Sequence, residues 1–222
     1  MSVSIHVLCA ALALGAVASG AARAAEPGGF DQRIDALARS WAHINFEVHD
    51  KAAQATQAES LVRECDALAV QAPARAEPLV WEAIAEATEA GAKGGLGALG
   101  LVKSARAHLE QAERLNPAAL GDGSVYTSLG SLYAQVPGFP IGFGDAGKAR
   151  RYFQKALAAN PDGLDANYFY ADFLMREHDY AGAIRALDRA LAAPARPGRE
   201  VADRGRRAEA AILLARARQA AS

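Results

Sequence analysis

The sequence predicts an all-α protein: an α-solenoid of antiparallel helix pairs, about three to four units long, ending in a C-terminal capping helix. Three observations predict it. Alanine dominates the composition, and runs rich in Val, Ile and Thr are missing, which favours helix over strand. A series of small, large, small and proline recurs along the chain: Ala105, Leu109, Ala112, Pro117, then Ala149, Phe153, Ala156, Pro161, then Ala183, Leu187, Ala190, Pro194. Before each copy lies a second stretch with its own helical periodicity, so the copies come as pairs of helices.

Residues 7 to 17 form an apolar run, and Ala22 and Ala24 stand as the small residues of a cleavage site. This predicts a signal peptide over 1–24 and export, to the periplasm of a Gram-negative bacterium. The run is too short to span a bilayer, which takes about 20 apolar residues. Cys9 follows Leu8, where a lipoprotein signal wants a small residue, so no lipid anchor is expected. Residues 25–222 then form a single helical-repeat domain with no transmembrane segment.

Within that domain two degenerate helices at 31–50 and 54–72 make a first unit, about 31–77. Units at 78–117, 123–161 and 164–197 follow, and a basic helix at about 199–219 covers the last exposed face, as the end of a solenoid must be covered. Its expected apolar side is Val201, Ala208, Ile212 and Leu213. In each pair the positions i, i+4 and i+7 share one helix face. Small residues there let a neighbouring helix approach, one larger residue fills the gap, and proline ends the helix. The preceding helices carry Trp81, Ile84, Ala85 and Thr88, then Tyr126, Leu129, Gly130 and Tyr133, then Asn167, Tyr170, Ala171 and Leu174.

This double pattern resembles the tetratricopeptide repeat (TPR) over residues 78–197. The first two units are each longer than a 34-residue repeat by about seven or eight residues. The extra residues, "GAKGGLGALG" and "VPGFPIGFGD", are expected as insertions between the two helices of a unit.

The second insertion runs into "GFGDAGK", close to the spacing of a phosphate-binding loop. Such a loop needs a preceding strand and a Ser or Thr after its lysine. Here the preceding segment is helical by pattern and Ala149 follows Lys148, so Asp145 reads instead as the N-cap of the next helix. That leaves Phe139, Ile141 and Phe143 unexplained; they either fold back on the array or meet a partner. The loop ending in a repeat helix resembles the T-component family that accompanies tripartite ATP-independent periplasmic (TRAP) transporters. The resemblance implies an accessory of a solute uptake system, with a periplasmic solute-binding protein as partner.

No enzyme chemistry, cofactor or metal site is expected. His43, His49, His108 and His178 include no pair at the i, i+3 or i+4 spacing of two metal ligands on one helix. Cys65, between Leu61 and Leu68, reads as a small core residue. Asp162, Asp165 and Asn167 lack the alternating series of a calcium loop; Asp165 and Ser124 read as helix caps. Charge is uneven: residues 25–120 hold 14 acidic and 9 basic side chains, residues 185–222 hold 4 and 9. The basic end is interleaved with Glu200, Asp203 and Glu209 and has no aromatic residue, so nucleic acid is not an expected partner.

In the repeat family the exposed positions of the first helices line a groove and contact ligands. By register the resemblance places Glu82, Glu86, Glu89, Thr127, Ser131, Tyr168, Asp172, Met175 and Arg176 there. The glutamates, at i, i+4 and i+7, make either a plain solvated face or a site for a basic partner. Tyr168 is the expected exposed member of its aromatic cluster. The expected function is a scaffold binding another protein or a second copy of itself. The alternative is an accessory enclosing a small organic acid between the loop at 137–143 and the aromatic residues.

Overall fold

The computed structural model describes residues 27–95 and 97–222. The segment expected to direct export lies outside them. The described residues form the helices α1 (Pro27–Phe46), α2 (Lys51–Gln71), α3 (Glu77–Lys93), α4 (Gly97–Leu115), α5 (Ser124–Gln135), α6 (Ala146–Ala159), α7 (Leu164–Arg176), α8 (Tyr180–Ala192) and α9 (Glu200–Ala220). Consecutive helices pack as pairs, α1 with α2 through α7 with α8, and α9 lies against α8.

The recurring series is the packing seam of each pair. Ala105, Leu109 and Ala112 of α4, Ala149, Phe153 and Ala156 of α6, and Ala183, Leu187 and Ala190 of α8 are all buried. Gly130 of α5 shows why a small residue is needed opposite: a Cβ there would come within 3.0 Å of the Phe153 ring. A fourth copy sits in α2, where Leu61, Cys65, Leu68 and Pro73 keep the same intervals with large and small exchanged.

Caps fix several helix starts. Asp145 accepts from Lys148 N at 2.8 Å, Asp50 from Ala53 N and Asp179 from Gly182 N. Two expected caps are not caps. Gly123 holds the N-cap position of α5, with Asp122 accepting from Ser124 N, and Gly163 holds that of α7. Asp165 is drawn away by two arginines described below.

The two expected insertions have the same length and opposite outcomes. In the first unit the residues are absorbed into helix: α3 and α4 are 17 and 19 residues long, against 12 and 14 for α5 and α6. Only the second insertion remains a loop, because Pro137 and Pro140 lack the N–H of a helical hydrogen bond, whereas Gly91, Gly97 and Gly100 of the first lie within helix.

The C-terminal helix does more than cover the last pair. α1 packs on α3, α3 on α5, α5 on α7, α7 on α9, and α9 returns to α1, so the inner row of helices closes on itself. Gly205 permits the return. A Cβ at 205 would lie no farther than 2.7 Å from the Cγ, Cδ1 and Cε1 atoms of Phe46. Ala202 joins the core formed by α1, α2 and Trp81. The buried face of α9 is Ala202, Arg206, Ala210, Leu214 and Ala217, not the expected one: Ala208 and Ile212 are exposed, and Val201 and Leu213 are half-buried. The expected face was read from large apolar residues, whereas a closely approaching helix buries alanines.

Candidate binding surfaces

The loop between α5 and α6 is held firmly at its base. Gly144 N donates to Pro137 O at 3.0 Å and Asp145 N to Tyr133 O at 2.9 Å. A Cβ at Gly144 would stand 3.0 Å from the carbonyl carbons of Val136 and Pro137, so only glycine permits this approach. Phe143 folds back on the array, edge-on to Tyr133 at 5.5 Å and under the Arg106 guanidinium at 4.3 Å. Phe139 and Ile141 do not: they are 93% and 61% exposed. The three apolar residues therefore divide between the two expectations, one turned inward and two presented at the tip.

The expected groove residues divide further. Glu82, Glu86 and Glu89 are not an exposed stripe; they are 6%, 5% and 3% exposed. The physical reason is a one-residue error of register, which turns a helix by about 100°. Ala105 and Ala149, Leu109 and Phe153, and Ala112 and Ala156 are each 44 residues apart, and so are Glu82 and Tyr126, Glu86 and Gly130, and Glu89 and Tyr133. The glutamates thus occupy the packing positions of the first unit. Trp81 and Thr88, read as packing residues, instead face α1: the Trp81 ring lies 5.8 Å from that of Trp41, and Trp41 Nε1 donates to Thr88 Oγ1 at 3.0 Å.

Against the glutamates stands His108 of α4, the positional equivalent of Tyr152, also 44 residues away. In the second unit Tyr126, Tyr133 and Tyr152 stack, with ring centroids 5.7 and 6.4 Å apart. In the first unit His108 Nδ1 meets Glu86 Oε2 at 3.1 Å, and His108 Nε2 lies 3.7 Å from Glu82 Oε1. Glu89 is paired with Lys93. Burial, together with the neighbouring Glu86, pushes the Glu82 carboxyl up to about 7 even though His108 opposes it. The hydrogen bond to Glu86 holds the His108 imidazole above its ordinary value.

Thr127 is buried and Ser131 half-buried. Asp172 and Arg176 pair with each other at 3.1 Å, and Met175 packs partly buried against the core. Tyr168 is not the exposed member of its cluster, because the Arg206 guanidinium of α9 lies 4.6 Å over its ring and 4.5 Å over that of Phe169. Arg206 and Arg196 also bind Asp165, each at 2.8 Å, and Arg196 engages Asp203. Burial alone would raise the Asp165 carboxyl, but the two arginines outweigh it and hold the group below its ordinary value. Sequence reasoning missed this network because Asp165 lies 31 and 41 residues from its two arginines.

Among the described residues, buried donors without a hydrogen-bond acceptor include Trp81 Nε1 and Arg199 Nε, and the Arg199 guanidinium lies 5.2 Å from the Trp81 ring. Burial and the nearby Arg196 charge lower the Arg199 pKa. Two hollows open elsewhere, one of about 380 Å³ between Asp31, Arg75 and Leu120, the other of about 90 Å³ between Asp122, Asn160 and Arg196. Neither is lined by the loop at 137–143 or by Tyr168.

The small, large, small seam recurs in α4, α6 and α8. Residues 141–203 match the tetratricopeptide repeat. The fold is similar to that of a thermophilic TPR protein in Thermus thermophilus, with a TM-score of 0.53 at 18% identity over 83% of this chain and 92% of that one. Pseudomonas aeruginosa pilF aligns at 18% identity over 85% of this chain and 93% of its own, with a TM-score of 0.34. No curated protein matches the sequence significantly. Among the described residues no helix is long and apolar enough to cross a membrane.

Proposed function

We propose that this chain is an exported helical-repeat scaffold of the bacterial envelope that binds another protein through the tip of its α5–α6 loop. The observation that carries the reading is the exposure of Phe139 and Ile141 on a loop whose base is tied down. Repeat proteins of this architecture present fixed surfaces to partners, and exposed large apolar side chains on a preordered segment are effective anchors. The apolar run before Ala24 supports export, and the loop's likeness to T-components supports a TRAP-type uptake system, with its periplasmic solute-binding protein as the partner.

The test is affinity capture from envelope extracts with the mature protein and with Phe139→Ser/Ile141→Ser, followed by mass spectrometry. The expected result is a solute-binding protein retained by the wild type and lost by the variant. Equal retention by both would remove the loop from the account.

A further inference from the structure

We propose that Glu82, Glu86 and His108 form a binding site for one divalent first-row transition-metal ion. The inference does not depend on the loop or on its partner. One potential ligand atom from each of the three side chains lies within 4.8 Å of the others. The glutamates are one turn apart on α3 and the histidine projects from α4, so two rigid, mutually packed helices set the geometry. Metal bonds of 2.0–2.2 Å to carboxylate and imidazole place ligand atoms about 3.4 Å from one another in a tetrahedral shell. The ligand atoms must draw together to reach that value: Glu86 now faces His108 Nδ1 at 3.1 Å and Glu82 faces Nε2 at 3.7 Å, and only one of these two ring nitrogens can bind the ion.

Two independent observations point to a ligand rather than to packing. First, the Glu82 side chain is 7% exposed and accepts no hydrogen bond among the described residues; it faces His108 at 3.7 Å. Glu86 holds the hydrogen bond to the imidazole and Glu89 has Lys93, so Glu82 is the carboxylate left over. Second, the equivalent positions of the next unit, Tyr126, Gly130 and Tyr152, show that packing here needs only aromatic and small residues. Burying carboxylates in their place is costly unless cations compensate them, and a protonated His108 supplies one positive charge against the two carboxylates it faces.

The donor set suits the ion. Two carboxylates and one neutral imidazole balance a charge of +2, and oxygen with nitrogen donors suits Zn²⁺, Fe²⁺, Mn²⁺ or Co²⁺. His108, with a side chain 25% exposed, borders the solvent and gives the ion its path of entry. Cys65 is fully buried behind the carboxylates and is not a ligand in this proposal. Three protein ligands leave coordination positions for water or a partner's side chain.

The experiment uses the full mature chain, stripped with chelator, dialysed, and titrated with Zn²⁺ and with Co²⁺. Calorimetry should give one ion per chain, and Tm should rise by about 5–10 °C at a hundredfold excess of Zn²⁺ over Kd. The Co²⁺ form should show visible d–d bands, and X-ray absorption of the Zn²⁺ form should show nitrogen and oxygen neighbours only. The near-isosteric Glu82→Gln, together with His108→Gln, should lose more than about tenfold in affinity with helicity by circular dichroism unchanged, while His43→Gln on the exposed surface should bind as the wild type does. Absence of stoichiometric binding to the folded wild type would overturn the proposal. So would sulfur in the first shell, or unchanged affinity in the Glu82 and His108 variants. Should those variants fail to fold, the wild-type stoichiometry and absorption spectrum still decide the matter.

Discussion

Replacing Gly205 by alanine tests the closure of the inner row by α9. In a helix interior that is free of contacts, Gly→Ala stabilises by about 1 kcal/mol. At 205 the added methyl would sit no farther than 2.7 Å from three atoms of the Phe46 ring, Cγ among them. The clash is thus with the root of the side chain as well as its end, and Phe46 cannot swing clear without leaving its edge-on contact with Trp41 at 5.6 Å. Overpacking of this kind costs about 1–3 kcal/mol. The net expectation for Gly205→Ala is a loss of up to about 2 kcal/mol, a Tm lower by up to about 8 °C in a chain of this length. With Phe46→Ala already in place the obstacle is gone and the same substitution should stabilise by about 1 kcal/mol. The assay is urea unfolding followed by circular dichroism for the four proteins of the cycle, which isolates a coupling of about 1–3 kcal/mol. If Gly205→Ala stabilises the wild type, or its effect has one sign in both backgrounds, α9 does not rest on α1 and the closed row is wrong.

Two further predictions follow from the buried charges and the thiol. Asp165 is held below its ordinary pKa by Arg206 and Arg196, so its contribution is complete above the unfolded value of about 3.8 and is lost as pH falls through the folded value. Asp165→Asn should cost about 3 kcal/mol near pH 7, toward the low end for a broken buried pair because the carboxylate is partly accessible; its stability curve should be flatter than the wild type's below pH 4, and parallel curves would contradict the assignment. Cys65 is fully buried and burial, reinforced by Glu82, pushes its thiol up. Ellman's reagent should therefore react with it only on unfolding, and labelling at native helicity would show that the α2–α3 seam is open.

The repeat pattern was legible because packing positions repeat chemically as well as by interval. Alanine, phenylalanine or leucine, alanine and proline mark α4, α6 and α8 on their own. The copy in α2 escaped notice because Leu61, Cys65 and Leu68 keep the interval while exchanging large for small. The candidate site was less legible, and for a specific reason. Trp81 looks more like a repeat aromatic than Glu82 does, so the pattern sets the first unit one residue out and makes three buried carboxylates an exposed stripe, either a solvated face or a site for a basic partner. The constant offset of 44 residues between His108 and Tyr152, and between Glu82 and Tyr126, contained the correction. A search of histidine pairs alone could not find a site in which the other donors are carboxylates on a different helix. The salt-bridge network of Asp165, Arg196, Asp203 and Arg206 was out of reach of any local pattern, since the fold alone brings α7 and α9 together. The loop was partly legible: three apolar residues among glycines signalled a use, but which of them turns inward depends on Tyr133 and Arg106, residues that flank it in space.

The central claim is that the loop tip seats another protein, and site-specific photo-crosslinking tests it most directly. A photoreactive phenylalanine analogue at position 139, activated in intact cells, should give one discrete adduct with a different envelope protein, identified by mass spectrometry and abolished by Ile141→Ser. The same analogue at exposed Val70, on α2, should give none. Adducts of equal yield from both positions, adducts only with the chain itself, or no adduct at position 139 would contradict the account.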